Sequence, residues 1–268
     1  MFLEKEDVSL YYEVRGEGEP LILIHGLIVD AELFENTAEI LSRSYKVITF
    51  DRRGNSRSRY KDGAAARFSM EAQSEDIKDL MNHLEIESAY IAGASAGATL
   101  GQYFLSQYQE RVKHLIMYEP AILSLMVKLN PETDKWVKGM EELIAKKRFN
   151  TLLLRFAESI GQPDPRSPAR APENSIRQME NMEYAFTQEF PGLIKYEPDY
   201  DNMEANAEKI TVAAGEKSEG TTYRNGAGIV AEMVGRELLY FPGGHNMPFE
   251  LPKEFAVSIA GTLALIKD

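Results

Sequence analysis

Two features of this chain are able to do chemistry together: a serine set between glycines at residues 93–97 and a histidine in a glycine-rich loop near the C-terminal end. Gly93-Ala94-Ser95-Ala96-Gly97 follows an apolar run and precedes an amphipathic one. A strand entering and a helix leaving such a pentapeptide force a sharp turn, which small residues permit and which lifts the serine hydroxyl above the sheet edge. The helix start supplies a second feature, because the Ala96 amide has no intrahelical partner and can face an oxyanion formed on a carbonyl attacked by Ser95. A serine hydroxyl is a poor nucleophile until a base takes its proton. Of the four histidines, His83 falls inside a helical pattern, His114 inside an apolar strand, and His25 ends a strand at a His-Gly turn. Those positions suit packing or turn stabilisation. His245, in PGGHNMPF after the last strand, has the freedom of a loop and is the expected general base.

Elements able to position these two residues are visible in the hydrophobic patterning. Residues 2–15 alternate apolar and polar side chains, which predicts a hairpin with one wet face. Strand-like runs follow at 20–26, 46–51, 89–93 and 112–118, separated by helical patterns at 31–43, 69–84 (with Ser69 as N-cap) and 96–109. Strands alternating with helices predict a mostly parallel, twisted sheet with helices on both faces, an α/β class. The alternation stops at Glu119-Pro120. Residues 121–205 carry only helical patterning, broken by the proline-rich stretch 161–172, which is expected to be irregular and is a candidate mobile flap. Strand patterns return at 209–215 and 237–241, around a helix at 222–235, and a helix closes the chain from about 252. The division is therefore a core of residues 1–120 and 206–268, with 121–205 as a helical cap inserted before the last two strands.

Composition narrows the function classes. With 44% hydrophobic residues in a chain of 268, there is ample material for a core. A net charge of −12 argues against nucleic acid or an anionic membrane surface as partner. There are no cysteines, so thiolate catalysis, disulfides and cysteine-ligated metals are excluded. No histidine pair has a metal-ligating spacing, and neither metal nor cofactor is expected. The N-terminus lacks an apolar signal core and the apolar runs are strand-sized, from which a cytoplasmic protein is expected. A homodimer is compatible with the sequence.

In chain order, HGL (25–27), DRRGNSRS (51–58), GASAG (93–97), YEP (118–120) and GGHNMP (243–248) resemble the α/β-hydrolase superfamily over essentially the full length. The resemblance implies that the Leu27 amide joins that of Ala96 in an oxyanion hole, and that Asp51, Arg52 and Arg53 form a structural turn. It also exposes a departure. The family's usual acid is the third residue past a glycine after the strand at 209–215, and here Gly215-Glu216-Lys217-Ser218 places a serine there. A neutral hydroxyl cannot stabilise the imidazolium formed when Ser95 gives up its proton, and losing that carboxylate costs ~10⁴-fold in turnover. Glu119 is the leading replacement, because some superfamily members resemble this arrangement and Pro120 should hold Glu119 in extended geometry. Glu219 is the alternative acid, and absence of a working acid is the third reading.

The resemblance thus implies a cofactor-independent serine hydrolase acting on a small apolar or aromatic carboxylic ester, lactone or thioester through an acyl-enzyme on Ser95. Twelve apolar residues of 121–205, among them Trp136, Met140, Phe156, Met179, Met182 and Phe186, are expected to divide between core and cleft, with methionines shaping the cleft. A perhydrolase like the cofactor-free haloperoxidases would use the same residues. A slow-turnover ligand sensor is the reading fed by Ser218. Dehalogenases and epoxide hydrolases of the superfamily carry an aspartate at the nucleophile position, and Ser95 argues against both.

Overall fold

The computed structural model describes residues 1–64, 66–161 and 172–267. Most of the proline-rich stretch, 162–171, and with it the expected flap, lies outside the described residues. The chain opens with the predicted hairpin, β1 (Phe2–Glu4) and β2 (Val8–Arg15), followed by β3 (Glu19–Ile24), β4 (Tyr45–Phe50), the short β5 (Arg59–Tyr60), β6 (Ala89–Ala94), β7 (Val112–Tyr118), β8 (Ile210–Gly215) and β9 (Leu239–Phe241). They form one sheet in the order β1-β2-β4-β3-β6-β7-β8-β9, with β5 paired to β2. From β4 to β9 every pairing is parallel, and the N-terminal strands join antiparallel at one edge.

Helices α1 (Glu35–Leu41), α2 (Met70–His83) and α3 (Ala96–Gln107) alternate with the first strands. Among the described residues, six helices fill the interval between β7 and β8: α4 (Leu123–Leu129), α5 (Pro131–Ala145), α6 (Phe149–Ser159), α7 (Pro172–Tyr184), α8 (Phe190–Lys195) and α9 (Tyr200–Ala205). A single π-helical turn, Ala185–Glu189, joins α7 to α8. Helices α10 (Thr222–Met233), α11 (Met247–Glu250) and α12 (Pro252–Lys267) complete the chain. Ser69 caps α2 as expected, its hydroxyl accepting the Ala72 amide. Helix α1 is preceded by a 3₁₀ turn at Ala31–Phe34 capped by Asp30, so the pattern read as one helix is two pieces.

The period of two in the strands explains the layers. Leu21 and Leu23 of β3 point to the face covered by α1 and α12, where Phe34, Leu41, Phe255 and Ile259 pack. Ile22 and Ile24 point to the other face, beneath Ile77 and Leu80 of α2, Leu100 and Phe104 of α3 and Val230 of α10. Burying both faces is why these strands are continuous apolar runs instead of alternating ones. No helix among the described residues is long and apolar enough to cross a membrane.

Candidate active site

The carboxyl ends of β6, β7 and β8 lie side by side, with Ala94 paired to Tyr118 and Tyr118 to Ala213. Whatever follows each strand is therefore gathered at one sheet edge, the usual location of ligand sites in open parallel sheets. Ser95 follows β6, Glu119 follows β7, and His245 lies in the loop after β9.

Ser95 has φ 55° and ψ −122°, a conformation side-chain-bearing residues rarely adopt. The turn is held by bonds on both sides: the Ser95 amide donates to Tyr118 O (2.9 Å), and Ser95 O accepts the amides of Ala98 and Ala121. Its tightness also depends on Gly97. A Cβ there would stand 2.0 Å from Ile24 O and 2.6 Å from His25 O, both backbone atoms that cannot move aside. The outcome is a hydroxyl at the N-terminus of α3, where the Ala96 amide, first in the helix, has no intrahelical acceptor.

Glu119 is fully buried. Its Oε2 accepts a hydrogen bond from His245 Nδ1 at 2.6 Å and its Oε1 one from the Gly215 amide at 2.8 Å. Burial works to raise its carboxyl, but the His245 hydrogen bond and charge, the Ser218 hydroxyl and the Gly215 amide together hold it below the ordinary carboxylate value. An ionised Glu119 fixes the proton of His245 on Nδ1 and leaves Nε2 as the lone-pair nitrogen. The imidazole is held further by Tyr223, whose ring centroid lies 4.7 Å away, and Tyr118 Oη donates to Gly244 O at 2.6 Å to secure the loop. The backbone of Glu119 differs from expectation. Its φ is 43°, left-handed and not the extended geometry that a following proline favours. The Glu119 amide bond to Ala213 O and the two carboxylate bonds outweigh that local preference.

The alternative acid, Glu219, is exposed and lines a shallow surface groove with Arg224 and Glu232, apart from His245. Ser218, at the position where the family's acid usually stands, is buried and faces Glu119.

Ser95 and His245 line one cavity of about 60 Å³, bordered by Leu27, Ile28, Val29 and Leu33 on the core side and by Leu153, Phe156, Ala157 and Ile160 around α6. No hydrogen bond joins the two side chains; nucleophile–base contacts are often long without substrate and shorten in the reactive complex. Gln178 and Asn246 add polar groups to its lining. Of the aromatic and methionine side chains expected to shape a cleft, Phe156 lines it. Met140, Met182 and Phe186 are packed in the core and Met179 is exposed, so no described methionine contributes to the wall. Leu153, Ala157, Ile160 and Gln178 were not distinguishable in the sequence, because small or apolar residues on a helix carry no mark of which neighbour they face.

Gly26 packs directly on Ser95, with its pro-Cβ position 3.2 Å from Ser95 Cβ and 3.7 Å from Oγ. His25 does stabilise the turn: its Nδ1 donates to Gly26 O (2.8 Å) and its Nε2 accepts the Arg52 amide (2.9 Å). Burial, with the adjacent Arg52 charge, pushes its pKa down to about 3, so it stays neutral. Asp51 accepts the Ala31 amide and a two-pronged bond from Arg57, and Arg53 forks onto Asp76. These residues form the expected scaffold at the sheet edge.

A family model for the alpha/beta hydrolase fold matches residues 19–252. The chain belongs to this family. An uncharacterised hydrolase of Bacillus subtilis, YraK, is 29% identical to this α/β-hydrolase over 95% of the chain and 92% of its own length. A thermophilic esterase from Thermogutta terrifontis superposes with a TM-score of 0.73 at 22% identity, covering 97% of this chain and 94% of its own. A Pseudomonas aeruginosa protein provisionally named an epoxide hydrolase superposes at 0.78 with 19% identity, over 100% and 95% of the two chains. At these identities the two structures speak for the fold alone.

Proposed function

We propose that this α/β-hydrolase is a serine hydrolase that cleaves small, largely apolar carboxylic esters, lactones or thioesters. The observation that carries the reading is the buried Glu119–His245 contact beside a serine held at φ 55°. Glu119 presents His245 with Nε2 toward the cavity; Nε2 takes the Ser95 proton as Oγ attacks the acyl carbonyl. The oxyanion is received by the amides of Leu27 and Ala96. His245 then returns the proton to the leaving oxygen or sulfur, and water releases the acyl group by the same steps in reverse. The helices 123–205 act as the cap, and the small apolar cavity under α6 selects neutral, compact acyl or alcohol groups. A serine at the nucleophile position supports ester cleavage over the epoxide opening named for one structural relative, which the superfamily performs with aspartate.

Turnover of a short p-nitrophenyl ester tests this directly. The wild-type protein should turn over repeatedly, and Ser95→Ala should retain no more than about 10⁻⁴ of that rate. A single burst or no reaction in the wild type would leave the ligand-sensing reading in its place.

A further inference from the structure

We infer that Arg52 and Glu189 form a positioning pair that aims the Leu27 amide at the oxyanion, so that the helices between β7 and β8 complete the oxyanion hole. The inference rests on the acyl-transfer reading above. Arg52 follows β4 and is buried, and all its N–H groups are engaged. Nε donates to His25 O at 3.0 Å and Nη1 to Gln73 Oε1 at 2.9 Å. Nη2 donates to Gly26 O at 2.9 Å. Glu189 holds the guanidinium in a fork, at 2.5 Å from Nη1 and 3.2 Å from Nη2.

The Gly26 carbonyl is therefore gripped by two donors, Arg52 Nη2 and His25 Nδ1. That carbonyl and the Leu27 N–H belong to one peptide group, which is planar and, with no cis bonds among the described residues, trans. Its N–H must point opposite to its C=O, away from Arg52. Gly26 is in contact with Ser95, and Leu27 shares the cavity with it. Fixing the oxygen of this peptide on the buried side consequently fixes the amide on the reactive side.

Two further observations separate this from ordinary scaffolding. The loop does not hold itself: Ile28, a β-branched residue, sits at φ 71°, a conformation that persists only when surroundings impose it. Asn181 of α7 supplies part of that restraint by donating to Ile28 O (3.1 Å) and Val29 O (3.3 Å), so both grips on the loop are anchored in the same set of helices. Second, a buried ion pair stabilises a fold little better than apolar residues of similar volume. Glu189 moreover closes a π-helical turn, a locally costly geometry concentrated at functional sites.

The test uses two variants of the full chain. The double variant Arg52→Met/Glu189→Met removes both charges together and leaves neither buried alone. Arg52→Lys keeps the charge but cannot fork to Gly26 O and Glu189 at once. In either, kcat on the p-nitrophenyl ester should fall by ~10²-fold with KM changed by less than ~3-fold, the signature of an interaction made in the transition state. Affinity for phenylboronic acid, which forms a tetrahedral adduct on serine, should fall by a similar factor. In Arg52→Lys, which keeps the charge beside His25, the acidic limb of the pH profile should stay in place, because His245 and Glu119 are untouched. Hydrogen exchange at residues 26–29 should quicken. The inference is overturned if folded variants keep kcat and boronate affinity within ~2-fold of wild type. It is equally overturned if the limb of Arg52→Lys moves, which locates the defect in the His245–Glu119 pair, or if neither variant folds, which makes the pair a structural support. A wild type inert to esters would defeat the acyl-transfer reading instead, and unchanged exchange at 26–29 would still defeat the positioning pair.

Discussion

The Glu119 carboxylate is fully buried, where desolvation opposes its charge, yet it accepts from His245 and Gly215, has the Ser218 side chain nearby, and is kept ionised. Because its folded pKa lies below the ordinary value, the stabilisation it contributes is present above that value and is lost as pH falls through the folded one. The same surroundings explain why serine suits position 218. A carboxylate there would share a dry pocket with Glu119, and two buried carboxylates so close cannot both ionise. Ser218→Asp should therefore fail to improve the enzyme although it restores the more usual acid position. Its kcat/KM for a p-nitrophenyl ester should drop by ~10-fold or more and the acidic limb of its pH profile should change, read from rates between pH 5 and 9. A gain in kcat would mean that position 218 can serve as the acid beside Glu119.

At the scale of elements, the site depends on three strand ends brought level by parallel register and on one tight strand–helix turn. Gly97 is the point of least tolerance, since an added Cβ would meet the backbone carbonyls of Ile24 and His25 at 2.0 and 2.6 Å. Gly97→Ala should lower the unfolding free energy by about 2–4 kcal/mol and abolish ester turnover, because relief requires α3 to retreat from β3 and carry Ser95 with it. Urea unfolding with parallel kinetics checks this; an alanine variant of unchanged stability would mean that the turn is looser than described. This is also the scale at which the sequence was most legible. Apolar runs, the Ser69 cap and the small-residue turn at 93–97 are local signals, and each corresponds to an element in place. Glu119, which follows β7, could be picked out through the family resemblance, but its left-handed backbone could not, since the local preference of a residue before proline runs the other way. The Arg52–Glu189 and Asn181 contacts had no signal at all. They join residues more than a hundred positions apart, and Glu189 lies in a π-helical turn with no sequence period to mark it.

Across the whole molecule, two buried neutral histidines tie stability to pH. His25 is pushed down to about 3 by burial and the Arg52 charge, and His114 to about 4 by burial and Arg236. In the unfolded chain both regain an ordinary value near 6.5, so on acidification the unfolded state takes up protons that the folded state refuses. Their effect is absent well above pH 6.5 and grows below it by up to ~1.4 kcal/mol per pH unit for each histidine, levelling off near the folded values. His25→Gln keeps an amide donor and acceptor but cannot titrate. It should be less stable than wild type at pH 7.5, and that deficit should shrink between pH 6.5 and 5 in urea unfolding. A deficit independent of pH would remove His25 from the acid response.

The assignment of Glu119 as the acid that orients His245 for attack by Ser95 is tested most directly by charge removal at the two competing positions. Kinetics of wild type, Glu119→Gln and Glu219→Gln should be measured on one p-nitrophenyl ester under identical conditions. Glu119→Gln should lose ~10³–10⁴-fold in kcat, whereas Glu219→Gln, altering an exposed side chain, should stay within ~2-fold. A Glu119→Gln enzyme of near-normal rate beside a Glu219→Gln enzyme that collapses would contradict the account.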